Sequence, residues 1–205
     1  MRSSGGKRFW LFLGKRAGDN RQIVLLAEAL QLPFDQKPLR FNWASSLPNA
    51  LLGPSLISLT AESRRSLKPP WPTAVIAAGR RAVPAALWVR EQSGTTRLIH
   101  IGRPWAPLAW FDLVITTPQF GLGKHPNVLS NLMPLTSPRQ VPEAEVHDFV
   151  ERYRSLPRPW TGVLVGGNSR PIVLDSAAAT RLGHAASEVA RSSGGSLLVV
   201  AGPRT

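Results

Sequence analysis

"TAVIAAGRRAVPAALWVREQSGTTRLIHIG", residues 73–102, holds one complete structural sentence. Thr73–Ala78 is a short apolar run that stops on Gly79, the pattern of a buried strand ending in a turn. Arg80–Gln92 then reads as a helix, with Pro84 near its first turns, where a missing N–H costs least. Arg97–Gly102 is a second apolar run of strand length, again closed by glycine. A strand, a helix and a strand in this order make a parallel pair joined by a crossover helix.

The same alternation extends both ways. Phe9–Leu13 reads as a first strand and Asn20–Gln31 as a helix, with Ile23, Leu26, Ala27 and Leu30 on one face. Asp19 and Gln22 have the spacing of a capping pair. Leu39–Phe41 is the expected second strand, and the Pro- and Ser-rich stretch 43–72 is left unassigned. Downstream, 112–117 and 127–133 are further strand candidates, and Glu143–Arg154 is an amphipathic helix with Val146, Phe149, Val150 and Tyr153 on one stripe. The fold class follows: α/β, a Rossmann-like doubly wound parallel sheet.

"SLPRPW", 155–160, is the best linker in the chain, because proline forbids helix continuation. It places a Rossmann-like domain at residues 1–155, a linker at 156–160, and the start of a second such domain at 161–205. In that second part, 161–165 and 196–202 are strands around a helix from Ser176 to Ser193, capped by Asp175 and ended by Gly194. One helix covers one face of a sheet, and a parallel sheet is covered on both. The second domain is therefore expected to be incomplete.

Lys and Arg number 25 against 12 Asp and Glu, a formal charge of +13. This balance favours anionic partners such as phosphates, nucleotides or an acidic membrane surface. Nucleic acid is disfavoured, since the basic residues form no run and no zinc-finger, RNP or basic-zipper pattern is present. With no cysteine in the chain, disulfides and thiolate metal sites are excluded. The four histidines, at 100, 125, 147 and 184, are too scattered to suggest a metal motif. No cofactor and no metal is expected. No apolar stretch reaches membrane-spanning length, so the expected location is the cytoplasm, with contact at most on the inner face of a membrane.

Three loops carry the candidate binding residues, since ligands of open parallel sheets bind beyond the carboxyl ends of the strands. The first, after the opening strand, offers Gly14, Lys15, Arg16, Gly18, Asp19 and Asn20. Here the two glycines are expected to give a tight turn, and a helix N-terminus with cations nearby suits an anion. The second, "GGNSRP", offers Gly166, Gly167, Asn168, Ser169 and Arg170. The third joins "HIGRPWAP" (100–107) and "TTPQFGLGKHPN" (116–127), with Arg103, Gln119 and His125 as candidates. Each has a plainer reading as ordinary turn chemistry. Catalytic residues are not assignable. The chain has no P-loop and no G-x-S-x-G elbow, and "GLGKHP" (121–126) fails the dinucleotide fingerprint at Pro126.

"GKRAGDNRQIVLLAEAL", "VIAAGRRAVPAALWVR", "HIGRPWAPLAWFDLVITTPQFGLGKHPNVLSNLMPL" and "LPRPWTGVLVGGNSRPIVLD" together resemble the bacterial relatives of the mitochondrial-fission, elongated-mitochondria-type family. That resemblance covers nearly the whole chain, and its specific part is the "GRPWAP…DLVITTPQ…HPNV" block. It implies a GT-B glycosyltransferase-like architecture, two Rossmann-like domains facing a cleft that takes a nucleotide-sugar or other phosphorylated ligand. It places Gly166–Ser169 near the donor phosphates, and implies that a chain ending at Thr205 lacks most of the donor site and is inactive in this form. In plants the family is tied to recruiting a dynamin-related GTPase to mitochondria, so a non-catalytic adaptor is the alternative. The label of sugar epimerase sometimes given to bacterial members does not fit. The sole tyrosine, Tyr153, is followed four residues on by Pro157, so the Tyr-x-x-x-Lys pair is absent.

Overall fold

The computed structural model describes residues 8–137, 140–167 and 173–202. The chain divides into two compact units, residues 1–138 and 139–205. The division precedes the Pro-rich connector, so the helix 143–153 groups with the second unit. Its Phe149 ring packs against Tyr153 and Trp160, with centroids 4.9 and 6.1 Å apart. This aromatic contact ties that helix to the strand that follows it.

The first unit is a six-stranded, all-parallel sheet. Its strands are β1 (Phe9–Leu13), β2 (Phe34–Pro38), β3 (Ala74–Ala78), β4 (Arg97–Ile101), β5 (Leu113–Thr116) and β6 (Val128–Ser130). They stand in the order β2-β1-β3-β4-β5-β6. The helices are α1 (Ala17–Ala29), the short α2 (Asn49–Leu52) and α3 (Ala61–Ser66), and α4 (Val83–Ser93). Side chains alternate across each strand, and the two faces are buried under different helices. Phe9, Leu11, Ala74, Ile76 and Ile101 pack with Ile23 and Ala27 of α1. Trp10, Phe12, Val75, Ala77, Leu98 and Val114 pack with Val83, Leu87 and Val89 of α4. This is the doubly wound sheet that the strand–helix alternation dictates.

Three expectations shift. The second strand is Phe34–Pro38 rather than Leu39–Phe41. It is the sheet edge, where one side faces water, so the polar Asp35, Gln36 and Lys37 are tolerated, and a search for apolar runs passes over it. Asp35 pairs with Arg8 at 2.5 Å, and Lys37 lies 4.5 Å over the Trp10 ring. Helix α1 starts three residues before Asn20, at Ala17; Arg16 is its N-cap and makes no capping side-chain bond. Asp19 therefore sits inside the first turn rather than capping it. Residues 80–82 form a tight 3-10 turn ahead of α4, with Pro84 in the first turn as expected.

The unassigned stretch 43–72 contains α2, α3 and a 3-10 turn at Trp43–Ser46. Side chains bonded to the backbone hold it. Asn42 Nδ2 donates to Ile57 O and Leu59 O at 2.8 and 3.1 Å, and Arg80 reaches Leu47 O at 2.6 Å and Ser45 O at 2.9 Å.

The second unit holds α5 (Glu143–Tyr153), β7 (Trp160–Val165), α6 (Ser176–Ser193) and β8 (Ser196–Ala201). Strands β7 and β8 pair in parallel over their whole length. Asp175 caps α6 by accepting the Ala178 N–H at 2.7 Å, and Gly194 ends it in the left-handed region at φ 65°. Both ends match the expectation.

Candidate functional site

In the strand order of the first unit, β1 and β3 are neighbours with their connections leaving toward opposite faces. This reversal opens a crevice at the carboxyl ends of the strands. A cavity of about 710 Å³ lies there. Every strand of the sheet sends residues to it: Gly14–Arg16 with Asp19 and Asn20 after β1, Leu39 and Phe41 after β2, Gly79–Ala82 after β3, Gly102, Arg103 and Trp105 after β4, Thr116, Thr117, Gln119 and Phe120 after β5, and Asn131 and Met133–Leu135 after β6. Its volume is that of a small-molecule site.

The loop after β1 is pinned from one residue. Asn20 Oδ1 accepts the Gly14 N–H at 2.8 Å, and Asn20 Nδ2 donates to Gly14 O at 2.9 Å. Asn20 thus fixes both backbone groups of Gly14 and is a bracing residue. Gly14 precedes the bend at Lys15, and Gly18 lies in the first turn of α1. Neither has a left-handed φ, and a Cβ would meet nothing nearer than 4.0 Å at Gly14 and nothing within 4 Å at Gly18. Gly79 is the glycine that matters. Its φ is +74°, and a Cβ there would lie 3.7 Å from Asp19 Oδ2. The turns after β1 and β3 therefore meet at Asp19.

Lys15, Arg16, Arg80, Arg81 and Arg103 line the cavity, and Asp19 is the one carboxylate among its described lining residues. Arg80 is spent on the carbonyls of the 43–47 turn, and Arg103 Nη1 donates to Phe120 O at 3.3 Å. Lys15, Arg16 and Arg81 are exposed, and no side-chain hydrogen bond holds them among the described residues. Burial raises the Asp19 pKa above its ordinary value, and the charge of Arg16 opposes that shift. The uncapped first turn of α1 adds N–H groups at the same edge. At the far side, the Thr116 and Thr117 hydroxyls are buried with no hydrogen-bond partner.

Beside them on β4, His100 is fully buried against Phe111, with ring centroids 5.3 Å apart. Burial lowers its pKa to about 3, with the Arg103 backbone opposing. His100 is thus a neutral member of the core, not a cavity base.

Of the candidates read from sequence, Gly14, Lys15, Arg16, Asp19, Asn20, Arg103 and Gln119 come together in the cavity. Gly18 and His125 are not among its lining residues. His125 Nδ1 meets Asn127 Oδ1, and Asn127 in turn donates to Leu108 O at 2.7 Å and Phe111 O at 2.6 Å. Gly166 and Gly167 follow β7 in the second unit, and Asn168, Ser169 and Arg170 lie outside the described residues. The sequence reading did not single out Arg81, Thr116 and Thr117, and it placed Trp105 in the third loop without making it a candidate. The turn after β3 carried the same signal as the first loop: a strand, a glycine, two basic residues and a helix. Among the described residues no group of three or more histidines and acids is placed to hold a metal ion.

Residues 17–205 match the family model described as mitochondrial fission ELM1. The chain belongs to that family. It is also similar to the uncharacterized protein RP120 of Rickettsia prowazekii (strain Madrid E), at 30% identity over 108 residues. That alignment covers 52% of this chain and 30% of the relative, so the chain spans under a third of the curated relative it matches. No solved structure matches. Among the described residues no helix is long and apolar enough to cross a membrane.

Proposed function

We propose that this ELM1-family chain binds a phosphate-bearing small molecule in the cavity at the carboxyl edge of its six-stranded sheet. The observation that carries the reading is the convergence of Lys15, Arg16 and Arg81 on the β1/β3 crossover, opposed by Asp19 alone among the described lining residues. Lys15 and Arg81 have no side-chain partner among the described residues and Arg16 has Asp19 beside it, so these cations give up little to bind an anion, and charge-assisted hydrogen bonds to phosphate are the strong ones. Glycosyl transfer from a nucleotide-sugar is the enzymatic form of this reading. It is supported by the doubly wound sheet and by basic groups able to stabilise a departing diphosphate.

The direct test is calorimetric titration of the chain with pyrophosphate, beside Arg81→Ala. Arg81 is exposed and its side chain holds none of the described residues, so the variant should melt like the parent. Its affinity should fall roughly 10- to 150-fold, the worth of a charged contact. Unchanged affinity, or no binding by the parent at millimolar pyrophosphate, overturns the reading.

A second reading, a non-catalytic adaptor at an anionic membrane, is favoured by one segment. Trp43, Leu51 and Ile57 are 80, 75 and 60% exposed on the segment that Arg64 and Arg80 tether. Flotation with phosphatidylserine-containing vesicles, lost in Trp43→Ala, would support it. Equal flotation of the variant would exclude this segment.

A further inference from the structure

One wall of the cavity is aromatic, and nothing in the core accounts for it. Trp105 lines the cavity with 62% of its surface exposed. Its backbone lies at φ +54°, a left-handed conformation that a bulky aromatic residue rarely adopts. The strain is held in place from elsewhere: the buried Asn49 directs its amide to Pro104 O at 3.3 Å and to Trp105 O at 3.4 Å. An exposed ring gains little from burial, so the fold spends free energy to keep this one at the rim. The Arg103 guanidinium stacks on the ring, 4.4 Å from its centroid. Phe120 closes the same wall, within 3.5 Å of where a Gly102 Cβ would stand.

The basic wall lies across the sheet. Lys15 and Arg16 follow β1 and Arg81 follows β3, whereas Trp105 follows β4. Strand β3 alone separates β1 from β4. At about 4.8 Å between neighbouring strands, Lys15 and Arg16 start about 10 Å from the Trp105 strand and Arg81 about 5 Å from it. Inorganic phosphate meets the basic side but has no flat ring to fill the aromatic wall at the same time. A molecule that does so carries anionic charge at one end and a flat ring at the other.

We propose that the ligand of this cavity is a nucleotide, its base stacked on Trp105 and its phosphates on the Lys15, Arg16 and Arg81 side. The proposal rests on the phosphate reading above and adds the ring-binding half. Bases stack readily on tryptophan and on arginine planes, which suits the Arg103–Trp105 pair. Free nucleotides and nucleotide-sugars share this chemistry.

The test compares pyrophosphate, ADP, GDP, UDP, UDP-glucose, adenosine and uridine as titrants of the parent chain, Trp105→Ala and Trp105→Phe. At least one nucleotide should bind the parent tenfold or more tightly than pyrophosphate. Trp105→Ala should lose about 5- to 150-fold of that affinity, the worth of one base stack. Its pyrophosphate affinity should stay within about twofold, and Trp105→Phe should restore most of the loss. Tighter binding of UDP-glucose than of UDP identifies the sugar-linked source, and the reverse the free nucleotide. Nucleotides that bind no better than pyrophosphate overturn the proposal. So does a Trp105→Ala loss equal for nucleotide and pyrophosphate. If pyrophosphate does not bind the parent, the phosphate reading fails. The ring site is then judged by adenosine and uridine: binding that needs Trp105 keeps it, and absence of binding overturns it.

Discussion

Residues 74–101 and 160–201 both run strand, helix, strand, with the strands paired in parallel. In the first stretch Val75, Ile76, Val83, Val89 and Leu98 are buried, with α1 on one face of the sheet and α4 on the other. In the second, Ala190 is the one buried apolar residue among those described, and Leu164 is 83% exposed although it sits in mid-strand. Val199 and Val200 of β8 and Val189 of α6 are exposed too. Propensity, capping and turn chemistry are equally good in both: Gly94 ends α4 and Gly194 ends α6, each in the left-handed region. What differs is the number of neighbours. A strand buried on both faces gains twice from the same side chains, and apolar residues that stay in water contribute little to stability.

Amide exchange should show the largest consequence. Amides of β3 should open only with most of the first unit, whereas those of β7 and β8 should open locally. We expect at least about 1,000-fold slower exchange in β3, a difference of about 4 kcal/mol. Exchange followed by mass spectrometry over peptides from 74–78 and 160–165 reads this directly. Equal protection in monomeric protein would mean that open sheet faces do not set stability here.

Acid should separate the units in a second way. In the fold His100 has a pKa of about 3, against 6.5 for an ordinary histidine. Unfolded chains take up a proton below about pH 6.5, while folded ones do not. The stability that His100 allows is therefore complete above pH 6.5 and is lost as pH falls toward 3, by about 1.4 kcal/mol for each unit. Between pH 7.5 and 4.5 the parent should lose about 2–3 kcal/mol more than His100→Gln or His100→Leu, by urea unfolding. The second unit has no buried histidine among its described residues, and its exchange should not follow this curve. Matching acid slopes in parent and both variants would refute the assignment.

The strands of the first unit were legible because each buried strand is a run of apolar residues bounded by glycine, proline or charge. Edge strand β2 was not, since Asp35, Gln36 and Lys37 are polar and carry no apolar signal: Gln36 is exposed, Asp35 pairs with Arg8 and Lys37 lies over Trp10. Segment 43–72 was opaque for a different reason. Its short turns depend on Asn42 and Arg80 reaching carbonyls far off in sequence. For the cavity, the loop after β1 announced itself with Lys15, Arg16 and Asp19. The contribution of Thr117 depends on which strands are neighbours, which local sequence does not encode. Trp105 is the extreme case, because its left-handed backbone is imposed by Asn49, 56 residues away.

The smallest effect concerns Asp19. Its carboxyl pKa is displaced upward by burial, so ionising it costs more in the fold than in the unfolded chain, and the stability linked to it declines as pH rises through its raised pKa. Asp19→Asn keeps the shape and removes that charge, so at pH 7 the fold should be no less stable. The same change removes the one negative charge among the described lining residues, where the turns after β1 and β3 meet. At the few ångströms that separate neighbouring groups, in a partly wet site, a unit charge is worth about 1 kcal/mol, roughly fivefold in Kd. Pyrophosphate should therefore bind Asp19→Asn about five times more tightly at low salt. Glu188→Gln, on the exposed face of α6, raises the net charge equally but in the other unit, and should leave the affinity unchanged. If both variants tighten binding alike, the anion answers to overall charge and not to this cavity. If Asp19→Asn weakens binding instead, the carboxylate is a ligand-contacting group, an acceptor for a hydroxyl rather than a neighbour that the phosphate must overcome.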